Sequence, residues 1–156
     1  MRVEDLPIAG QVKHVLSEKG YNALYPPQVD AINSGALTGK NVVLASPTAS
    51  GKTLVAELAI LKKVLDEQGK ALYLTPLRAL ASEKHEEFQT YSSIEKPDGH
   101  KVRIAITSGD YDSSDEHLGR YDVIVATNEK ADSLLRHQAK WISDISLVVA
   151  DEVHLL

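Results

Sequence analysis

The sequence contains no cysteine. That excludes disulfides and thiolate metal sites, and it fits an intracellular, cytoplasmic protein. No apolar run approaches the roughly 20 residues of a membrane-spanning helix. The opening residues, Met1-Arg2-Val3-Glu4-Asp5, are acidic and lack an apolar stretch, so they do not read as a secretory signal. Positive charge is not in excess: 17 Lys and Arg against 22 Asp and Glu leave a formal net charge of −5. This argues against a protein that coats nucleic acid by bulk charge, but not against a local groove. Neither an internal repeat nor a low-complexity segment is present. His14, His85, His100, His117 and His137 show no metal-ligand spacing, and most read as surface residues. Asp110, Asp112 and Asp115 lack the correctly placed Gly and Glu of a calcium loop and read as a solvated acidic turn. Trp141 reads as a packing residue beneath the last strand.

What is present is a chain of 156 residues, long enough for one domain with a real core. One stretch organises it. The apolar run Asn41 to Ala45 leads into Ser46-Pro47-Thr48-Ala49-Ser50-Gly51-Lys52-Thr53, and a run with helical spacing, Leu54 to Leu65, follows. Strand, tight loop and helix in that order make a phosphate cradle. The first backbone N–H groups of a helix lack internal partners and, with the helix dipole, attract an anion. Gly51 admits close backbone approach, Lys52 brings a mobile charge, and Thr53 offers a hydroxyl to Mg²⁺. The strict pattern also asks for Gly five residues before Gly51, and Ser46 stands there. A loop Gly followed by an ordinary Lys is therefore the competing reading, and context must decide.

The remaining elements follow in order. Val12 to Lys19 is expected to form a short helix closed by Gly20. Tyr25-Pro26-Pro27 sets the entry to a second helix, Gln28 to Leu37, ending near Gly39. Gln28 in its first turn admits two readings, a solvated helix start or an amide that pairs with an adenine edge. Strands are expected at Val42–Ala45, Ala71–Thr75, Val102–Thr107, Asp122–Thr127 and Leu147–Ala150. Helices are expected from the phosphate loop to about Glu67, from Pro76 to about Tyr91, and from Glu129 to His137 with Asn128 as cap. The strands are continuous apolar runs, which implies burial of both faces. Alternating with helices, they predict an α/β fold: a mostly parallel, doubly wound sheet with ligands at the strands' carboxyl ends.

A second motif stands at one of those ends. Asp151-Glu152 follows the apolar strand Leu147–Ala150. Two acids beside a buried strand are costly unless paired. Mg²⁺ would pair them, with Asp151 holding it and Thr53 serving it too, while Glu152 deprotonates an attacking water. Either motif alone leaves open a strand that simply exits into solvent. Together they favour a Mg·ATP site.

These residues carry a resemblance. Asp151-Glu152-Val153-His154 resembles the DExH box of superfamily 2 helicases, and Pro47 to Thr53 resembles their motif I, in which the early Gly is absent. Tyr25-Pro26-Pro27-Gln28 resembles the adenine-reading Q motif, Thr75 to Leu80 motif Ia, and Ala126 to Lys130 motif Ib. With Thr107 to Asp112 and Asp132 to Arg136, the whole chain is similar to archaeal Hjm-type DNA helicases of the Ski-like branch. The resemblance implies a RecA-like P-loop NTPase fold, with N-terminal helices and Q motif over 1–38 and a partial first RecA-like domain over 39–156. It implies ATP and Mg²⁺ as cofactors. Lys52 would bind the β- and γ-phosphates, Thr53 and Asp151 would serve the metal, Glu152 would be the base, and His154 would relay nucleotide state. Nucleotide contacts are expected from Gln28 and from Ser46, Pro47, Thr48, Ala49, Ser50, Gly51, Lys52 and Thr53. Single-stranded or forked DNA would be held by Thr75, Pro76, Arg78, Ala79, Gly109, Asp110, Thr127 and Lys130. Hydroxyls and backbone groups grip phosphates with little net charge, so the acidic total is no obstacle.

The sequence ends at Leu155-Leu156, directly after the DExH box, and reads as a fragment. The resemblance implies a further strand between the phosphate-loop and DExH strands, a second RecA-like domain with arginine fingers, and accessory domains. Without an arginine finger, about 10³–10⁵ in rate is forgone in related NTPases. The chain alone is expected to bind nucleotide weakly, hydrolyse it very slowly and unwind nothing. A DNA helicase, an RNA helicase of the same branch and a nucleotide-binding interaction module all remain open at this point.

Overall fold

Two compact units, Met1–Lys62 and Lys63–Leu156, divide the chain. The computed structural model describes residues 1–46, 49–109 and 113–153, with backbone alone at 49, 50, 113 and 114.

The first unit is helical. A 3₁₀ turn at Val3–Asp5 is followed by α1 (Gly10–Glu18) and α2 (Pro26–Asn33). Gly20, at φ +85°, follows α1 as expected. The two prolines open α2 because an N-terminal turn needs neither of their missing N–H groups. α2 is shorter than the sequence reading: it stops at Asn33 rather than Leu37. Gly35, at φ +105°, takes the chain into turns that run to Gly39. The N-terminal segment is tied down by Val3 N–H donating to Asn22 O (3.0 Å) and Leu24 N–H to Met1 O (2.9 Å). α3 (Ala49–Glu67) starts in this unit and ends in the next. Leu54, Leu58, Leu61 and Leu65 recur at helical spacing along it, and all are buried. It ends where Gln68 turns left-handed at φ 52°.

The expected first strand, Val42–Ala45, does not form. Val43 is 93% exposed. An apolar run becomes a strand only where a neighbour takes up its backbone N–H and C=O groups. Among the described residues no strand pairs with this one.

The second unit is a four-stranded parallel sheet in the order β2-β3-β1-β4. Its strands are β1 (Lys70–Thr75), β2 (Ile104–Thr107), β3 (Val123–Thr127) and β4 (Ile145–Ala150). α4 (Arg78–Phe88) continues as a 3₁₀ turn over Gln89–Tyr91, so the expected helix to Tyr91 is two elements. α5 (Asn128–Arg136) follows β3 directly. Its cap is Thr127, one residue before the Asn128 expected: the Thr127 hydroxyl accepts the Lys130 N–H at 3.2 Å. β3 is buried along its whole length, as a continuous apolar run requires. β4 differs. It is an edge strand with alternate residues exposed, Val148 by 54%, because among the described residues no strand lies on its outer side.

The amino ends of the strands are pinned by charge. Asp122 accepts the Arg103 N–H (2.9 Å) and pairs with Lys96 (2.9 Å), joining the starts of β2 and β3. Burial works against the Lys96 ammonium, but Asp122 and then Asp98 outweigh it and raise its pKa. Lys70 donates to the carbonyls of Gly119 (2.7 Å) and Tyr121. Burial there prevails over Asp122 and Asp144, and its pKa is lowered.

Leu118, Ile124, Ala126, Leu134 and Trp141 form the apolar cluster on one side of the sheet. Trp141 is thus the packing residue expected, and its Nε1–H also donates to Asp115 O at 3.1 Å. Adjacent leucines of α5 differ in burial, being about 100° apart around the helix: Leu134 is fully buried and Leu135 is 61% exposed. Leu134→Ala is expected to cost about 2–5 kcal/mol by lost burial and the cavity left behind. Leu135→Ala should cost less than about 0.5 kcal/mol. Urea denaturation of the two variants checks the assignment of this face.

Candidate nucleotide and nucleic-acid site

In the first unit, Tyr25, Pro26, Pro27, Gln28, Leu44, Ser46, Gly51 and Lys52 line one pocket of about 430 Å³. Concave sites of roughly 300–1,000 Å³ are the usual size for small ligands and cofactors. α3 begins at Ala49, so Gly51, Lys52 and Thr53 lie in its first turns, where a helix offers backbone N–H groups and the positive end of its dipole. Lys52 and Thr53 are half-buried. Pro47 and Thr48 lie outside the described residues, as do the side chains of Ala49 and Ser50.

Gln28 joins the two halves of this pocket. It is 3% exposed, which overturns the solvated-helix-start reading. Its Oε1 accepts the Tyr25 N–H at 2.7 Å, and its Nε2 donates to Gly51 O at 2.9 Å. The amide therefore braces the entry of α2 against the start of α3. By valence each end of the amide keeps one further hydrogen-bonding position, a donor beside an acceptor. A Cβ at Gly51 would lie 3.6 Å from Gln28 Nε2, an ordinary contact, so this position is open to the amide without strain. Four pocket residues, Tyr25, Pro26, Pro27 and Leu44, were not read as nucleotide contacts from the sequence. Tyr25 is 70% exposed at the pocket, and Leu44 supplies an apolar wall. An aromatic beside Pro-Pro-Gln was the available signal for the first.

In the second unit the site residues collect at the carboxyl edge of the sheet. Asp151 follows β4, and its N–H donates to Leu74 O at 2.9 Å, extending the ladder one step. Its Oδ1 accepts the Glu152 N–H at 2.9 Å and its Oδ2 accepts the Tyr73 hydroxyl at 2.6 Å. Glu152 is left-handed at φ 53°, a conformation that costs a non-glycine residue energy and recurs at functional sites. His154 lies outside the described residues. Among the described residues no group of three or more His, Cys, Asp and Glu could hold a metal by itself. A lone, oriented carboxylate fits Mg²⁺, which keeps most of its water and takes one or two carboxylates beside substrate phosphates.

The residues read as nucleic-acid contacts divide. Thr75 and Thr127 stand side by side at the ends of β1 and β3, both buried. Their hydroxyls serve the local backbone, Thr75 donating to Leu77 O at 3.1 Å and Thr127 capping α5. Arg78 and Ala79 are exposed and Pro76 is half-buried. Gly109, at φ +89°, lies against Arg78: a Cβ there would come within 3.0 Å of Nη2. Asp110 lies outside the described residues. Lys130 is a correction. Its side chain is 2% exposed, and its ammonium pairs with Asp115 at 2.5 Å. An ammonium so placed holds the fold and is not presented to a phosphate. The same contact corrects Asp115, which is buried rather than part of a solvated turn. Neither residue type nor spacing announces this pair, since the partners lie fifteen positions apart.

A helix start that shares a pocket with a buried glutamine, and an Asp-Glu at the carboxyl end of a parallel strand, are features of the P-loop nucleotide-binding class of α/β proteins. Residues 25–156 match the DEAD/DEAH box helicase model, and the chain belongs to that family. Over its whole length it is 58% identical to the ATP-dependent DNA helicase Hel308 of Thermococcus kodakarensis, covering 13% of that protein. It is 53% identical to the protein of the same name from Methanocella arvoryzae, covering 21%. The chain thus spans between about an eighth and a fifth of these relatives' length. The structure of the DUF1998 helicase MrfA superimposes with a TM-score of 0.78 at 27% identity, over 96% of this chain and 24% of that one. The form of MrfA bound to DNA and AMPPNP gives 0.76 at 30% identity, over 95% and 21%.

Removing one partner of a buried ion pair leaves an uncompensated charge. Lys130→Met is therefore expected to destabilise the protein by about 3–5 kcal/mol. Adding Asp115→Asn should recover much of that loss. Denaturant titration of the two single variants and the double variant measures the coupling.

Proposed function

We propose that this chain is the ATP-binding first motor domain of an ATP-dependent DNA helicase. We further propose that the full-length protein moves 3′ to 5′ on single-stranded or forked DNA in replication-fork repair or recombination, with a second RecA-like domain and accessory domains completing the motor. The observation that carries the nucleotide reading is the Gln28–Gly51 hydrogen bond, which makes the Tyr25–Gln28 segment and the start of α3 one pocket. The relatives named as DNA helicases support the reaction. The MrfA complex with DNA and AMPPNP supports the ligand classes.

In this reading the remaining donor and acceptor of Gln28 meet the adenine edge, and Tyr25 flanks the base. Ser46 and the loop through Gly51 surround the phosphates, Lys52 pairs with the β- and γ-phosphates, and Thr53 and Asp151 serve Mg²⁺. Bound Mg²⁺ supplies positive charge against the phosphate oxygens. Glu152 accepts a proton from the water whose oxygen bonds to the γ-phosphorus, while the bond to the β-phosphate oxygen breaks and ADP leaves. His154 passes the nucleotide state to the rest of the motor. Thr75, Pro76, Arg78, Ala79, Gly109 and Thr127 line the edge along which a strand would run, and Asp110 is read as a further contact. Thr75 and Thr127 act there by shaping the turns that carry backbone N–H groups, and Arg78 acts by its exposed charge.

The test is ATP binding and turnover by a full-length protein containing this chain, with and without single-stranded DNA or RNA. Lys52→Ala is expected to lose nucleotide binding. Glu152→Gln should keep binding and lose about 10²–10⁴-fold in turnover, the usual worth of a general base. Single-stranded DNA should stimulate the parent more than RNA. Turnover by both variants at the parental rate overturns the site assignment. Nucleotide binding without stimulation by either nucleic acid overturns the motor reading.

A further inference from the structure

Tyr73 belongs to none of the motifs, yet it is the residue that holds Asp151. It sits in the middle of β1, opposite Val149 of β4. Side chains alternate along a strand, so Asp151, two residues past Val149, lies on the same face as Tyr73. The tyrosine reaches one step along the sheet, and its hydroxyl donates to Asp151 Oδ2 at 2.6 Å. That is the short distance of a hydroxyl–carboxyl hydrogen bond. The ring is 1% exposed and meets Phe88 edge to face, with centroids 5.5 Å apart and planes at 69°. A buried ring held this way presents its hydroxyl from a fixed point.

The carboxylate is therefore gripped at both oxygens. Oδ2 takes the Tyr73 hydroxyl and Oδ1 takes the Glu152 N–H at 2.9 Å. Two donors from two directions fix the plane of the group. Each oxygen keeps a further lone pair, since a carboxylate has about four acceptor positions. The positions left open face away from the two donors.

We propose that Tyr73 is a positioning residue that aims the Asp151 carboxylate at the metal of the Mg·nucleotide. This rests on the reading of Asp151 as a metal-serving residue. Without the hydroxyl, one oxygen is released and the carboxylate turns about its Cβ–Cγ bond. Partners of this kind, one step behind a metal ligand, are worth about 10–100-fold in metal affinity.

The experiment is a Mg²⁺ titration of fluorescent ATP-analogue binding to a full-length protein containing this chain, for the parent, Tyr73→Phe, Asp151→Asn and the double variant. Phenylalanine fills the same volume and keeps the Phe88 contact. Tyr73→Phe is expected to raise the Mg²⁺ concentration at half-maximal binding about tenfold, while leaving metal-free nucleotide binding unchanged. In the Asp151→Asn background, Tyr73→Phe should add no further shift. A Tyr73→Phe midpoint equal to the parent's, even with a lowered melting temperature, overturns the proposal and leaves Tyr73 a packing residue. An equal Tyr73→Phe shift in both backgrounds also overturns it, because the hydroxyl would then act elsewhere. An Asp151→Asn midpoint equal to the parent's overturns instead the underlying metal reading.

Discussion

The register of β1 is the constraint on which the second unit depends. This strand pairs with β3 on one side and β4 on the other, both parallel. Parallel pairing aligns strand ends, so Thr75 stands beside Thr127, and Asp151 falls one step beyond Ala150, where its N–H still reaches Leu74 O. A slip of one residue along β1 would turn Tyr73 to the other face and leave Asp151 without its hydroxyl partner. The same slip would part the two threonines whose hydroxyls shape the turns into α4 and α5. Register, more than any single contact, turns four apolar runs into one chemical edge.

Polar groups enforce that register from both ends. At the amino ends, Asp122 takes the Arg103 N–H and Lys96, and Lys70 is capped by carbonyls of the chain that leads into β3. At the carboxyl ends, Lys130 and Asp115 tie the first turn of α5 to the 3₁₀ segment Ser113–Arg120. Asp115 also receives the Trp141 indole. Buried charges are tolerated only when paired and hydrogen-bonded. These are, and each joins segments far apart in sequence.

Much of this was legible in the sequence. Continuous apolar runs at 71–75, 122–127 and 147–150 placed β1, β3 and β4 to within a residue or two, and the prolines before Gln28 placed α2's start. Residues that act through their own neighbours in sequence were readable too, such as Gly20 after α1 or the helix that runs on through Lys52 to Glu67. What escaped depended on partners. Val42–Ala45 has a strand's composition, but pairing makes a strand and none is provided among the described residues. The cap of α5 passed from Asn128 to Thr127 because β3 already delivers an extended threonine to the helix start. Tyr73 fell inside an expected strand and was given no role, since nothing local distinguishes a buried tyrosine from one whose hydroxyl meets an aspartate a strand away.

The inward turn of Lys130 bears on how an acidic domain could hold a polyanion. Of the two cations read for the strand-end edge, Arg78 is exposed and Lys130 is spent within the fold. Thr75 and Thr127 are buried and their hydroxyls serve the local backbone, so in the proposed function the backbone N–H groups at the starts of α4 and α5 would meet phosphate, through directional hydrogen bonds rather than net charge. Counterion release scales with the phosphates neutralised by Lys and Arg, so such an edge gains little affinity from low salt and loses little at high salt. The proposed motor, which would release and regrip its track at each nucleotide cycle, would be served by such contacts. Their strength depends on the geometry of a strand end, which a domain movement can change, whereas bulk charge attracts the strand in every state.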